Sequence, residues 1–308
     1  MLYQRARLCR FLGLRAAAVS SCEAALRHAD YIKAYQLMAA MDLPGESYFR
    51  LMARIHAHLR PATYVEIGVD EGESLQIVQP GTLTLGIDPQ PRVKQALTSR
   101  QKIYAQTSDD FFATRDVRTE LEGRPVELAF IDGMHQMEFA LRDFINLERY
   151  CTPRSIVLIH DVYPIDARSA ERERQSAFWT GDIWRLVLIL KKHRPDLVVH
   201  TIGAWPSGLA MVQQLDPASR VLSEGFERIV AESLAQDYAV LEGRKKEMLN
   251  FLRNDWDEVR AQIERALRLA GVASEREALL ELARSSAISQ ENSRKLIREP
   301  DSMEERLR

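Results

Sequence analysis

The sequence predicts an α/β fold built on an open, doubly wound and mostly parallel sheet of seven strands. Short β-rich segments alternate with helical periodicity through the middle of the chain, which is typical of βαβ units. Several of these segments are apolar almost throughout, as are strands of a sheet that is covered on both faces. We expect a helical N-terminal part over residues 1–47, the α/β domain over 48–215 and a charged helical extension over 216–308.

The N-terminal part is predicted to consist of helices. Apolar side chains recur at helical spacing from residue 24 onward, and the segment "DLPGES" separates two helical stretches. The first 22 residues contain four arginines and no acidic residue. Surface helices and organelle-targeting segments share this composition, and we favour a surface helix.

Seven β-rich segments follow, and the last two suit a closing hairpin that reverses the direction of the sheet. They are "TYVEIG" (63–68), "LTLGID" (83–88), "KIYA" (102–105), "VELAFID" (126–132), "SIVLIHD" (155–161), "LVVHTI" (197–202) and "GLAMVQ" (208–213). Ligands of such sheets bind beyond the carboxyl ends of the strands, where the strand order switches. The residues that end these segments are therefore expected along one edge: Glu66, Gly68, Asp88, Asp132, His160 and Asp161.

Composition restricts the class of ligand. The net charge is -2 and the isoelectric point about 6.4, so the overall charge indicates neither nucleic acid nor an anionic membrane as a partner. The three cysteines show no paired or CxxC spacing, which favours a reducing compartment and a cytoplasmic location. No apolar stretch is long enough to span a bilayer. A small-molecule substrate fits these observations.

The loop after the first predicted strand has two glycines, Gly68 and Gly72, and Asp88 follows Gly68 by 20 residues. An acid at this distance commonly binds ribose hydroxyls. The GxxxG spacing differs from the GxGxxG of dinucleotide sites, and Glu66 would repel a phosphate but accept a hydrogen bond from an amino group. The pattern disfavours a nicotinamide dehydrogenase and favours a nucleoside that carries an amino acid. A purely structural turn is the alternative.

Four segments together resemble the class I S-adenosylmethionine-dependent methyltransferases. They are "VEIGVDEGESL", "GIDPQP", "AFIDGMHQMEFALRDF" and "SIVLIHDVYP", and they are most similar to the small-molecule and sugar O-methyltransferases of the macrocin type. The resemblance covers residues 48–213 and implies a Rossmann-like fold that binds S-adenosylmethionine.

The resemblance also implies roles for individual residues. Glu66 and Gly68, with the loop that contains Gly72, would contact the methionine end of the cofactor, and Asp88 would bind the ribose. Ser108 and Asp109, in "QTSDDFF", fall where the family commonly flanks the adenine.

The ends of two predicted strands suggest a cation site and a base. Asp132 and Asp161 offer oxygen ligands that suit Mg²⁺ or a similar ion, and such an ion would orient an acceptor hydroxyl and lower its pKa. The resemblance implies an acid at the position of Asp132, a second acid at that of His160 and Asp or Asn at that of Asp161. His160 departs from this pattern, but a histidine can still ligate a metal, so the predicted ligands are Asp132, His160 and Asp161. His135 stands where the resemblance places a general base, with Asp132 beside it. The alternative is a purely structural role, in which Asp132 caps the turn into the following helix and His160 and Asp161 form hydrogen bonds with loop backbone.

Three functions follow in order of preference. The first is methyl transfer to a hydroxyl of a small molecule or sugar, assisted by a divalent cation. The second is a metal-dependent tailoring hydroxylase of similar fold, and the third is a non-catalytic scaffold that binds the cofactor. Asp143 is interpreted as part of a solvated helix face.

The C-terminal extension contains a short heptad-like stripe, and its last 20 residues are expected to be frayed. The stripe comprises Leu252, Trp256, Val259, Ile263 and Ala266. We favour packing on the chain's own domain over a homo-oligomer seam because so few heptads are present.

Overall fold

The computed structural model describes residues 1–272, and the statements on structure below refer to that range. The segment expected to be frayed, 289–308, lies outside the described residues.

Eight strands form one sheet. They are β1 (Thr63–Ile67), β2 (Leu83–Asp88), β3 (Gln101–Ala105), β4 (Leu128–Ile131), β5 (Ile156–His160), β6 (Val198–Ile202), β7 (Leu209–Gln213) and β8 (Phe251–Leu252). All seven predicted strands are present. The prediction of seven strands omitted β8, because two residues are too short to produce a periodic pattern.

Helices precede, separate and follow the strands. They are α1 (Leu2–Phe11), α2 (Arg15–Leu26), α3 (Ile32–Asp42), α4 (Tyr48–Leu59), α5 (Ser108–Thr114), α6 (Val117–Glu120), α7 (Met137–Glu148), α8 (Trp184–His193), α9 (Val221–Glu224), α10 (Phe226–Leu234), α11 (Lys245–Met248) and α12 (256–272). Two short 3₁₀ helices, Ser74–Ile77 and Tyr238–Leu241, complete the elements. The glycine loop leads into the first of these 3₁₀ turns, Ser74–Ile77.

The strand order is β3-β2-β1-β4-β5-β7-β6-β8. Strands β1 to β5 are parallel to one another, and β7 is antiparallel to both of its neighbours, β5 and β6. The chain moves outward from β1 to β2 and β3, then returns to the other side of β1 as β4. The order switches between β1 and β4, where an open α/β sheet forms its ligand crevice. The predicted Rossmann-like, doubly wound fold is confirmed.

Two apolar layers bury the two faces of the sheet. In β1, Val65 and Ile67 point into the layer that α7 and α8 cover, while Tyr64 points into the layer that α4 and α12 cover. This alternation follows from the two-residue period of a strand, and burial on both sides explains why the strands read as continuous apolar runs.

Four of the five residues of the heptad-like stripe lie in α12, whereas the first, Leu252, belongs to β8. The helical part of the stripe contributes to this core. Val259 and Ile263 are completely buried and pack in the same cluster as Leu51 and Ile55 of α4. Two buried branched side chains contribute roughly 3 to 6 kcal/mol of hydrophobic stabilisation. The preferred prediction, packing on the chain's own domain, is therefore correct.

Helices α1, α2 and α3 have a small apolar core of their own. Ala6, Ala18, Cys22 and Ala34 are completely buried within it. Small side chains at the centre of this core let the three helices approach closely. Among the described residues, no helix is long and apolar enough to cross a membrane.

Candidate active site

A cavity of about 750 Å³ opens at the carboxyl ends of β1, β2 and β4. Its volume lies in the ordinary range for a small-molecule site. Eight carboxyl side chains line it, and among the described residues no lysine or arginine does: Glu66, Asp70, Glu71, Glu73, Asp88, Asp109, Asp132 and Asp143. Such a lining repels phosphates and attracts cations.

Gly68 brings the ends of β1 and β4 together. Its φ angle is +89°, and a Cβ atom there would lie 2.1 Å from the carbonyl oxygen of Asp132. The amide of Asp132 donates to the carbonyl of Ile67 at 2.8 Å, directly beside this contact. Gly68 is therefore required by the approach of two backbones as well as by the turn.

Glu66 is a buried carboxyl at the floor of the cavity. Tyr64 Oη donates to its Oε2 at 2.9 Å, and Ser74 Oγ donates to its Oε1. Burial raises the pKa of Glu66 to about 8, against the opposing effect of these two hydrogen bonds. The carboxyl can thus carry a proton near neutral pH and lose it to solvent when a cationic group binds beside it.

Asp88 organises the glycine loop. Its Oδ2 accepts from the amides of Val69 and Asp70, both at 2.9 Å, and its Oδ1 accepts from the amide of Gln90 at 2.7 Å. Two carboxylate oxygens offer about four acceptor positions, so capacity for a further donor remains. Asp88 also lines the cavity.

Asp143 occupies the other end of the cavity. The prediction of a solvated helix face is wrong, because its side chain is buried and lines the cavity. Burial raises the pKa of Asp143 to about 7, against a hydrogen bond with Ser108. The carboxylate of Asp109, which also lines the cavity, is paired with an arginine: it accepts two hydrogen bonds from Arg142, at 3.0 and 2.8 Å.

Helix α4 contributes two aromatic residues that the sequence analysis did not assign to the site. Tyr48 and Phe49 line the cavity, and the ring of Tyr48 lies 3.9 Å from that of His160, measured between centroids. Burial is the main cause that raises the pKa of Tyr48, followed by the charges of Asp132 and Asp161. The available signal was the N-cap Ser47, which accepts from the amide of Arg50 and sets the start of α4 beside the sheet edge.

Asp132, His135 and Asp161 form a cluster that could hold a metal ion. One ligand atom from each lies within 4.8 Å of the others, and a small void of about 10 Å³ adjoins the group. Burial by itself would raise the pKa of Asp132, but the charges of His160 and His135 and a hydrogen bond from His160 hold it below its usual value. An oxygen, oxygen and nitrogen donor set suits a divalent cation of intermediate hardness.

His160 is engaged on both ring nitrogens. Its Nδ1 lies 3.2 Å from Asp132 Oδ1 and its Nε2 lies 3.2 Å from Ser207 Oγ. Burial lowers the pKa of His160, but the charges of Asp161 and Asp132 outweigh this effect and raise it to about 9. At neutral pH this imidazolium supplies a positive charge between the two carboxylates.

His135 is fixed by the end of the loop between β5 and α8. Its Nδ1 donates to the carbonyl of Trp179 at 3.3 Å, and its Nε2 lies 3.1 Å from Asp161 Oδ2. The indole of Trp179 stacks on the imidazole at 4.8 Å. A Cβ atom on Gly181 would meet the carbonyl oxygen of His135 at 1.7 Å, so the loop passes very close to this backbone.

The same loop caps helix α7. Asp182 is completely buried, and its Oδ1 accepts from the amide of Met137 at 2.8 Å. Arg172 donates to Asp182 Oδ2 at 2.7 Å and pairs with Glu138 at 2.6 Å. The loop is thereby joined to the helix that contains Asp143.

The structure brings the residues predicted for the site together, with one difference in grouping. Five of the six residues predicted to bind a cofactor line the large cavity: Glu66, Gly68, Asp88, Ser108 and Asp109. The sixth, Gly72, lies in the adjoining loop. The cluster of possible metal ligands contains His135, whereas the sequence analysis had grouped His160 with Asp132 and Asp161.

Fold and cavity together define a class of protein: a doubly wound α/β domain with an acidic, phosphate-excluding site at its switch point. Residues 65–162 match the family model described as a methyltransferase domain. This match covers about a third of the chain and agrees with the resemblance to methyltransferases that the sequence motifs indicated. None of the curated proteins is significantly similar to this chain.

Solved structures share parts of this arrangement at low identity. Cofactor-bound Rv0187 from MTB is 17% identical, with a TM-score of 0.43 over 59% of this chain and 88% of that one. The O-methyltransferase TomG from Streptomyces achromogenes, involved in tomaymycin synthesis and solved with SAM, is 15% identical, with a TM-score of 0.42 over 59% and 89%. An O-methyltransferase from Bacillus cereus in complex with SAH is 13% identical, with a TM-score of 0.39 over 58% and 87%. These values are too low to support conclusions about ligand or acceptor.

Glu66→Gln should stabilise the protein, increasingly so as the pH rises. Because the pKa of Glu66 is raised from 4.5 to about 8, the folded state binds more protons than the unfolded state between these values, and wild-type stability falls across this window. The wild type loses stability in this way and the variant does not, so the variant should gain on the order of 4 kcal/mol relative to the wild type at pH 8 and little at pH 4.5. Urea denaturation across this pH range measures the difference.

The control is Glu73→Gln, which changes an exposed carboxyl on the same loop. Its unfolding free energy should follow that of the wild type at every pH. A constant offset between Glu66→Gln and the wild type would contradict the argument from burial.

Proposed function

We propose that this protein transfers the methyl group of S-adenosylmethionine to a hydroxyl oxygen of a small molecule or sugar, with a divalent cation at the acceptor side. The observation that carries the proposal is the acidic cavity beside β1, β2 and β4. S-adenosylmethionine bears a sulfonium and an ammonium group and no phosphate. A lining of carboxyl groups without lysine or arginine suits this charge pattern better than that of a dinucleotide.

Three residues hold the cofactor in this proposal. Glu66 accepts from the ammonium group of the methionine part, since its carboxyl lies at the floor of the cavity beside Ser74. Asp88 accepts from a ribose hydroxyl with its remaining acceptor positions. Asp143 and Ser108 together bind the adenine, because the buried carboxyl of Asp143 and the hydroxyl of Ser108 both line the cavity.

When bound, the cofactor supplies a methyl group activated by the sulfonium. The protein must then hold the acceptor oxygen in line and remove its proton. His135 Nδ1 is occupied by the carbonyl of Trp179, so Nε2 is the nitrogen that takes the proton. Asp161, at 3.1 Å from Nε2, stabilises the resulting imidazolium.

The cation would lie between Asp132 and Asp161. Both carboxylates face the small void, and a cation there would orient the acceptor oxygen and lower its pKa. His135 Nε2 cannot ligate the cation and accept a proton at the same time. We assign the proton transfer to His135, which leaves the two carboxylates and the acceptor as ligands.

The metal-dependent hydroxylase and the non-catalytic scaffold remain alternatives with distinct consequences. A hydroxylase needs a redox-active ion and consumes oxygen, and it has no use for a sulfonium-binding cavity. A scaffold binds the cofactor without turnover, and its cofactor affinity alone cannot distinguish it from a transferase. Asp132→Ala separates these functions. A methyltransferase should lose turnover in this variant while it still binds the cofactor, whereas a scaffold has no turnover to lose.

Titration calorimetry with S-adenosylmethionine tests the cofactor assignment. Asp88→Asn should weaken binding by roughly ten- to a hundredfold, because a charge-assisted hydrogen bond to the ribose is lost. Asp257→Asn, which changes an 82% exposed carboxylate far from the cavity, is the control. Wild-type protein that does not bind S-adenosylmethionine would refute the proposed function.

The adenine assignment predicts a change in base preference. Wild-type protein should bind S-adenosylhomocysteine at least ten times more tightly than its deaminated analogue, S-inosylhomocysteine, since the latter presents a carbonyl where adenine presents an amino group. Asp143→Ala should lose most of this ratio. Asp109→Ala, whose carboxylate is paired with Arg142, should keep it. Equal ratios in both variants would remove Asp143 from the adenine site.

The resemblance implies an acid at the position of His160, so replacing this histidine with an acid should increase the affinity for a metal ion. His160→Asp replaces an imidazolium with a hard oxygen ligand beside Asp132 and Asp161, so Mg²⁺ should bind at least tenfold more tightly than to the wild type. His135→Gln should keep the wild-type Mg²⁺ affinity and lose turnover. Calorimetry with Mg²⁺ alone gives both affinities, and a loss of Mg²⁺ binding in His135→Gln would identify His135 as a ligand.

A further inference from the structure

The turn between α1 and α2 presents large apolar side chains to solvent. Leu8 is 58% exposed, Phe11 86%, Leu12 58% and Leu14 53%. We name these four residues the hairpin tip. Single exposed apolar residues are ordinary, whereas a contiguous group at one turn indicates a contact surface.

The hairpin tip is exposed although the two helices that bear it, α1 and α2, are packed against the rest of the protein. Ala6 and Ala18, on the opposite sides of the two helices, are completely buried in the core shared with α3. Arg15, directly after the tip, pairs with Asp42 at 2.5 Å. The hairpin is thus folded and anchored while its tip stays outside.

Basic residues surround the hairpin tip. Arg5, Arg7 and Arg10 are exposed, and the first acidic residue of the chain is Glu23. Arg5 precedes Leu8 by three positions and Arg7 precedes Phe11 by four, so these arginines border the apolar side chains on the helix surface. This local charge acts over a Debye length, about 8 Å at physiological salt, despite the slightly negative net charge of the chain.

We propose that the hairpin tip docks on an anionic lipid surface. A Cβ atom on Gly13, at the centre of the turn, would meet nothing within 4 Å, so no other part of the described chain packs against the turn at this point. A fluid bilayer accepts protruding leucine and phenylalanine side chains without a complementary pocket, and its anionic headgroups bind the flanking arginines. The proposal is independent of the methyl transfer reaction.

Docking would orient the acceptor side of the enzyme. Tyr35 of α3 stacks on Phe178 in the loop between β5 and α8, with ring centroids 5.6 Å apart and an interplanar angle of 16°. Helix α3 shares a core with the two helices that bear the tip, so the tip is linked through α3 to the loop whose Trp179 contacts His135.

Vesicle sedimentation tests the proposal with the full chain. The wild type should sediment with vesicles of phosphatidylcholine and phosphatidylserine, and should stay in solution with phosphatidylcholine alone. Arg5→Gln with Arg7→Gln should weaken binding about fivefold for each arginine removed. Phe11→Ser with Leu12→Ser should weaken it at least tenfold. Added salt should release the wild type.

Matched controls change similar residues on other surfaces. Val221→Ser with Leu234→Ser removes two exposed apolar side chains, and Arg149→Gln with Arg154→Gln removes two exposed arginines. Both should bind like the wild type. Absence of wild-type binding, or equal binding by the tip variants, would overturn the proposal. Dimers in light scattering that Phe11→Ser with Leu12→Ser abolishes, without vesicle binding, would assign the tip to a second copy instead.

Discussion

The site depends on the contact between the backbones of β1 and β4 at Gly68. The amide of Gly68 donates to the carbonyl of Ile87 at 2.9 Å, and the amide of Asp132 donates to the carbonyl of Ile67 at 2.8 Å. Three strand ends therefore meet at one glycine. This meeting sets the positions of Glu66, Asp88 and Asp132 relative to one another, and any side chain at Gly68 would separate them.

The concentration of carboxyl groups beside this contact has an energetic consequence. Burial raises the pKa of Glu66 to about 8 and that of Asp143 to about 7, so the empty cavity holds protons near neutral pH. A cationic ligand that pairs with Glu66 would expel such a proton, and its affinity would be linked to pH. Beside Asp132 and Asp161, a charge within the protein has the corresponding effect, because the imidazolium of His160 compensates these two carboxylates.

Sequence patterns predicted the sheet well because its strands are long enough, and apolar enough, to differ from their surroundings. They also placed Asp132, His160 and Asp161 at one edge, since the polar end of a parallel strand falls there by topology. Patterns failed where tertiary packing decides. The residues around Asp143 in the sequence of α7 do not indicate whether its side chain is exposed. In the structure Asp143 lines the cavity together with Ser108 and Phe139, which are brought there by the fold.

Two other features had weak local signals. Strand β8 consists of two residues and forms only because β6 has an unpaired edge to receive it. Tyr48 reaches the cavity because the carbonyl of Trp205 accepts from its amide at 2.9 Å, a contact between segments far apart in sequence. Periodicity within a short window contains no information on such contacts.

The attachment of the loop between β5 and α8 limits which substitutions this protein can tolerate. Gly181 passes too close to the backbone of His135 to tolerate any side chain, and Asp182 caps the helix that contains Asp143. Substitutions at these two positions would therefore disturb His135 and the helix of Asp143 together. The part of the loop that precedes Gly181 is where a change of shape beside the cavity would disturb these contacts least.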